Sequence, residues 1–484
     1  MVWHKQLRLR RIRFLLVMLF FLILVSPVRS DPIPDPIDPY TILHAYYKTI
    51  GGIPRLKSIT TVYTEGKTEY DGLQGRFKSW EQTPLRYRLE EDFNIISQIQ
   101  GDDGQVSWKK DPNSKVTILR DEQTIKRRRI ALGFENFEHM DPTSSLFKVS
   151  YQGVQQVNNH RCHVIKICNQ LNPDVLLNFI DRKSFLLIQS IDQQPDMEIH
   201  TLYSDYRNEN KMLFPFHEES QILPRQKKEI NQIEKRIINL PIEPALFSIP
   251  SNLSPDYHFL QGNHSENIPF QLIENLIYLE VKTTEDNRLW LLDSGASMSV
   301  IDQGFATEMG ILPQGKIKGY GFGANFDLHF VKLPAFRVQG VAFEEQTIFS
   351  FQGLAEKFHD PLCYGILGYD FLSRFVVKID YARGQLSLYD PKVFVYKGKG
   401  AVMDAPLKNG VFTFPMTVDS IYSGKWSLDI GSFNTSIHYP FAKTNNLFQK
   451  KGVYRISRGL GGEYIEKTIR FDHLAIGNAI IQNR

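Results

Sequence analysis

The sequence predicts a mostly-β protein in two unlike parts: a long antiparallel meander, then a β unit that occurs twice. Three observations carry this. From Ser58 to about Pro250, short alternating runs such as "SITTVYTEGKTEY", "LRYRLEED" and "HVIKICN" recur between turn residues, the pattern of consecutive antiparallel strands. Further on, "LWLLDSGASM" (289–298) returns as "KWSLDIGSFN" (425–434). Finally, 42% apolar and 23% charged residues over 484 positions describe globular protein rather than disorder, with length for roughly two to four domains.

The chain opens on a targeting pattern. Lys5, Arg8, Arg10, Arg11 and Arg13 precede an unbroken apolar run, Phe14 to Val25, and Val28 and Ser30 stand at the small-residue positions before a cut. This predicts a signal peptide over 1–30, cleaved after Ser30. The apolar run is short for a span of about 20 residues; an uncleaved N-terminal anchor is the alternative and the one membrane contact expected. A Pro/Asp linker covers 31–39. A helix follows in "YTILHAYYKTIGGIPRL", stopped by Gly51 and Gly52. A second helix, "DEQTIKRRRIALGFENF", interrupts the meander, and its Lys126–Arg129 run reads as a solvated face. Of three cysteines, Cys162 and Cys168 share one strand-like stretch. Six residues of strand span roughly 20 Å, beyond disulfide reach, so free thiols are expected.

The region 40–250 reads as one domain. Its opening helix with "GG", "GKTEYDGLQGRFKSWEQTPLRYRLE", "GDDGQVSWKK", "YSDYRNENKMLFPFHEE" and the closing "FSIP" resemble the periplasmic lipoprotein-carrier, LolA-like, half-barrel family. The resemblance implies an N-terminal antiparallel half-barrel with a cavity for a lipid or another apolar ligand. No catalytic constellation is visible there, so a scaffold that positions the rest is the other reading.

The repeat begins at Asn275 and again at Asn409. Aligning Asp293 with Asp429 places Gly295 on Gly431, Ile301 on Ile437, Phe305 on Phe441 and Ala306 on Ala442 without a gap. Each aspartate ends an apolar strand, where an unmanaged carboxylate costs several kcal/mol. The glycine two residues later lets backbone amides come close to it. Two such loops face to face would set two carboxylates side by side. Close like charges cannot both ionise near neutral pH, so the pair shares a proton and supplies both an acid and a base.

"LLDSGAS" resembles the catalytic signature of the aspartic peptidases, especially the retropepsin-like kind. "GYGFGANFDLHF" (319–330) stands where that family has a flap hairpin, and "YGILGYDFLSRFVVKIDYARGQLSLYD" (364–390) matches its bracing glycine segment and closing strands. The resemblance implies two tandem pepsin/retropepsin-like β lobes, 265–395 and 400–484, the second truncated or degenerate. It implies Asp293 and Asp429 as catalytic residues and Ser294, Gly295 and Gly431 as loop support. Gly319, Gly321 and Gly323 would form one flap, and Gly461 within "RGLGGEYIEK" the other. Gly365, Ile366, Leu367 and Gly368 would brace the loop. The second copy departs from the pattern: Ile430 replaces the Ser or Thr whose hydroxyl reaches the partner loop, and Phe433 stands where Ser297 does. Only 55 residues follow Asp429, against 72 from Asp293 to Gly365, so truncation, decay or completion by another chain are all open.

Competing readings are weaker. Asp370 and Asp380 read as helix-cap and turn residues. His329, His359 and His438 form no triad, and Ser294 and Ser297 lack the GxSxG elbow. No phosphate loop or metal motif is present, so no cofactor, metal or nucleic-acid partner is expected; the charge of +4 decides nothing about nucleic acid. The expected function is an exported aspartic endopeptidase, in periplasm or cell envelope, acting on peptide or protein. One alternative is a non-catalytic envelope protein that binds peptide or lipid, with Asp429 a turn residue in a decayed repeat. Another is a homodimer that pairs Asp293 with its own copy.

Overall fold

The computed structural model describes residues 37–195, 197–251, 255–284, 286–321, 325–358, 363–408 and 411–482. The targeting segment, most of the linker, Gly323 and His359 lie outside them. The fold is mostly β, as expected, and divides into two compact units, the second starting at Pro255.

In the first unit, helix α1 (Pro39–Thr49) starts on Asp38, whose carboxylate accepts the amides of Tyr40 and Thr41. Such a cap contributes about 1 kcal/mol. Ile42, Leu43, Tyr46 and Tyr47 form its buried face. The stop at Gly51 has a steric reason: its φ is +124°, and a Cβ there would sit 2.6 Å from the Met212 side chain. Thirteen strands then form one antiparallel sheet, in which the first (Thr61–Tyr70) pairs with the last (Lys227–Ile238) at mid-sheet. Cys162 and Cys168 share the strand His160–Asn169 and are free thiols.

Helix α2 (Glu122–Glu135) packs Ile130 and Phe134 into the core. Its basic run is only in part the solvated face expected from sequence: Arg129 is exposed, but its two predecessors are not. Arg128 turns inward to the buried Asp102, donating from Nε at 2.7 Å and from its terminal nitrogen at 3.1 Å. Arg127 donates to Gln194 at 2.7 Å. A buried acid needs such a partner, and nothing local in the helix announces that a distant strand supplies one. Beside this helix opens a small pocket with an apolar floor of Ile130, Phe134, Phe147 and Ile167 and a polar side of Arg127 and Asp174. Among the described residues no helix is long and apolar enough to cross a membrane.

The second unit holds the repeat. The first copy runs β1 (Leu276–Lys282), β2 (Asn287–Leu292), β3 (Val300–Asp302), α3 (Gln303–Glu308), β4 (Gln314–Tyr320), β5 (Asn325–Leu333), β6 (Phe336–Val338), β7 (Val341–Phe343), β8 (Gln346–Phe351), β9 (Gly365–Leu367) and α4 (Tyr369–Leu372). The second runs β10 (Val411–Val418), β11 (Tyr422–Ser427), α5 (Tyr439–Thr444), β12 (Gly452–Gly459), β13 (Gly462–Ile469), β14 (His473–Ile476) and β15 (Ala479–Gln482). The topology repeats with the sequence. β1 pairs with β2 and with β6, and β10 pairs with β11 and β14 in the same manner. The second copy's described elements end with β15, the counterpart of β7. In the first copy Trp290, Leu291 and Leu292 of β2 are fully buried, each contributing about 1.5–3 kcal/mol.

Candidate active site

Asp293 follows the last residue of β2, and Asp429 lies two residues past the end of β11. Each carboxylate accepts the amide of the glycine two residues on: Gly295 to Asp293 at 2.6 Å and Gly431 to Asp429 at 3.0 Å. The two loops face each other. A Cβ on Gly295 would lie 2.6–2.7 Å from all three carboxyl atoms of Asp429, and a Cβ on Gly431 would collide with the carboxyl of Asp293. Each glycine is thus the bare surface against which the opposite carboxylate rests. The residue type is required here by close approach.

Burial, then the Asp429 charge and a hydrogen bond to Asp429, push the Asp293 carboxyl well above the ordinary carboxylate range, against the pull of the Gly295 and Ala296 amides. The geometry therefore holds one proton between two carboxyl groups over a range where a lone aspartate has lost its own.

Besides the bond between the two carboxyls, a serine hydroxyl ties the loops. Ser294 Oγ donates to the Leu428 carbonyl at 2.9 Å and accepts the Ile430 amide at 3.1 Å. The reciprocal bond is absent because Ile430 has no hydroxyl. Its side chain instead packs against the apolar core of the first copy.

Below the Asp293 loop, β9 pairs parallel to β2, with Leu292 opposite Leu367, and antiparallel to β3. The Asp293 amide donates to the Leu367 carbonyl at 3.0 Å and the Tyr369 amide to the Ala296 carbonyl at 2.7 Å. Gly365 lies flat on the Trp290 ring. A Cβ on Gly368 would come within 2.7–2.9 Å of Met298 and the Ala296 carbonyl oxygen.

The two flap-like segments are hairpins. In β4–β5, Gly319 pairs with Phe326 and Tyr320 with Asn325, and in β12–β13 Gly459 pairs with Gly462. They approach each other at Gly321, where a Cβ would be 3.8 Å from the Gly461 amide nitrogen.

The structure thus brings together Asp293, Asp429, Ser294, Gly295 and Gly431, with Gly365 to Gly368 below. Gly319, Gly321 and Gly461 lie on facing hairpins. Ser297 is buried with no hydrogen-bond partner for its hydroxyl, and its counterpart Phe433 is 40% exposed. Sequence reasoning missed Asp370. It is not the cap expected from sequence, since Gly368 stands at the N-cap and Asp370 lies within the first turn of α4; its Oδ1 accepts both the amide and the hydroxyl of Ser299, each at 2.8 Å. The sequence held a faint signal, an acid two residues after a bracing glycine. Among the described residues no group of His, Cys, Asp and Glu could hold a metal ion.

Residues 280–371 match the family described as aspartyl protease. No curated protein matches the chain by sequence. Among solved structures, a LolA-superfamily protein from Nitrosomonas europaea is similar at 10% identity and a TM-score of 0.31, over 44% of this chain and 98% of that one. A retropepsin-like aspartic protease from Rickettsia conorii is similar at 18% identity and a TM-score of 0.20, over 27% of this chain and 96% of that one. The MucA/MucB complex of Pseudomonas aeruginosa is similar at 11% identity and a TM-score of 0.17, over 64% of this chain and 94% of that one.

Proposed function

We propose that the chain is an exported aspartic endopeptidase that cleaves peptide bonds with a water activated between Asp293 and Asp429. The observation that carries this reading is the reciprocal seating of each carboxylate on the other loop's glycine, with one of the two carboxyls pushed up in pKa. Asp293 is the natural holder of the shared proton and Asp429 the base. Asp429 takes a proton from water as it attacks the scissile carbonyl, while Asp293 donates to the carbonyl oxygen. Collapse of the tetrahedral intermediate expels the amine, which takes up a proton from the dyad. The facing hairpins would cover an extended substrate and exclude water. The N-terminal sheet, with its apolar-floored pocket, would hold an apolar ligand or lipid, and the targeting pattern would deliver the chain to the periplasm or cell envelope.

The test is cleavage of a mixed peptide library by the full chain, read by mass spectrometry, with the Asp293→Asn chain as control. Cuts that persist unchanged in the control rule the mechanism out. The absent hydroxyl at Ile430 favours the second reading, a protein that grips peptide in this cleft without cutting it. Retention of peptide with no cut by the wild type would select that reading.

A further inference from the structure

The Asp293 loop leaves the sheet at Leu292 and rejoins it at Val300. Between those points several hydrogen bonds fix its path, and four of them meet at one residue. Ser299 is 4% exposed. Its amide and hydroxyl both donate to Asp370 Oδ1, each at 2.8 Å. The same hydroxyl accepts the Gly368 amide at 3.1 Å, and its carbonyl accepts the Phe349 amide at 3.0 Å. Ser299 therefore joins three segments: the loop, the start of α4 and strand β8. We propose that the Ser299–Asp370 pair is the positioning element that fixes the Asp293 carboxyl in register with Asp429. This rests on the peptidase reading and names the part that sets its geometry.

Three further observations support it. Asp370 is anchored from behind. Arg374 donates to its main-chain carbonyl, and Arg374 is itself held by Asp256 through Nε at 3.0 and 3.1 Å and by Gln346 at 2.9 Å. Burial pushes the Asp370 carboxyl up in pKa while Arg374 and Ser299 pull against it. A carboxylate kept in such a place is costly unless its bonds do something packing cannot. Gly368, whose missing Cβ lets it lie against Ala296 and Met298, leaves no slack between the pair and the loop.

The experiment compares wild type, Ser299→Ala, Ser299→Thr and Asp370→Asn as full chains of equal helix and sheet content by circular dichroism. Threonine keeps the hydroxyl, and asparagine keeps an accepting oxygen. Ser299→Ala is expected to lower kcat by ~10–100-fold, the scale of a 1 Å misplacement, with KM nearly unchanged. Threonine and asparagine keep most of the turnover. Carbon-13 NMR of aspartate-labelled protein reads the dyad whether or not it cuts. Wild type and Ser299→Thr should show a carboxyl titrating far above the ordinary range. In Ser299→Ala that titration should fall back as the carboxylates part. A folded Ser299→Ala with both turnover and titration unchanged overturns the proposal. If no peptide is cut by any form, the peptidase reading fails, and the titration alone decides the positioning role.

Discussion

In the first copy Leu292 is fully buried beside β9, whereas its counterpart Leu428 is 45% exposed. Phe343 of β7 is 3% exposed and Ile481, at the matching place in β15, is 54%. One unit, used twice, has been given two kinds of support. The first aspartate loop is braced from below by β9 and from the side by Asp370. The second is held by its neighbour, through one serine hydroxyl and the packing of Ile430. Among the described residues, the Asp429 loop takes its support from the loop it faces.

The largest expected effect breaks the dyad itself. Asp293→Asn keeps size and removes the shared proton, so peptide cleavage should fall by about 10²–10⁴-fold. The same change should hold or raise thermal stability. The folded chain binds the Asp293 proton more tightly than the unfolded chain does, so stability falls as pH rises from the ordinary carboxylate range toward the raised pKa. Asparagine removes that dependence, and a melting series from pH 4 to 8 on both proteins checks it. Activity should likewise decline as pH rises through the raised pKa, because the acid is lost.

Asp429→Asn tests whether the two copies work as a pair. Loss of cleavage at every protein concentration fits an intrachain dyad. Normal specific activity that disappears on dilution would show two copies of Asp293 acting together.

Ser294→Ala removes the serine tie between the loops and leaves the Ile430 amide without its acceptor. A loss of about 1–3 kcal/mol is expected in urea unfolding, with kcat falling up to about 100-fold and KM little changed. An equal fall in both copies' order, read by amide exchange, would mean that support runs in both directions. The smallest effect should come from Ile430→Thr, which adds the reciprocal hydroxyl, worth about 0.5–1.5 kcal/mol, and removes apolar packing of similar size. Turnover should rise by a few-fold at most. A fall, with unchanged folding, would show that Ile430 is an adaptation rather than a defect.

The alternation of residues was enough to read a long antiparallel meander, and the gapless match of Asp293 to Asp429 was enough to read the repeat, because strand period and loop chemistry are local properties. The reading of Gly365 to Gly368 as a brace comes instead from the resemblance to the aspartic peptidases. What stayed hidden depends on contacts between distant residues. Arg128 looks like part of a solvated charge run until Asp102 is brought beneath it. Asp370 looks like a helix cap until Ser299 is brought against it. The packing of Ile430 against the first copy's core, likewise, could not be seen from the second copy's sequence.

The Ser294 hydroxyl touches neither carboxyl group of the dyad. It holds the carbonyl just before Asp429 and the amide just after it, gripping the residue by the peptide groups on either side. The side chain at 429 is left with one bond in its own loop, from the Gly431 amide, which an asparagine oxygen can also accept. An Asp429→Asn chain should keep the full outline of the cleft while lacking the base. Such a chain would close on a substrate it cannot cut, making it a bait with which to retrieve the physiological target from an envelope extract.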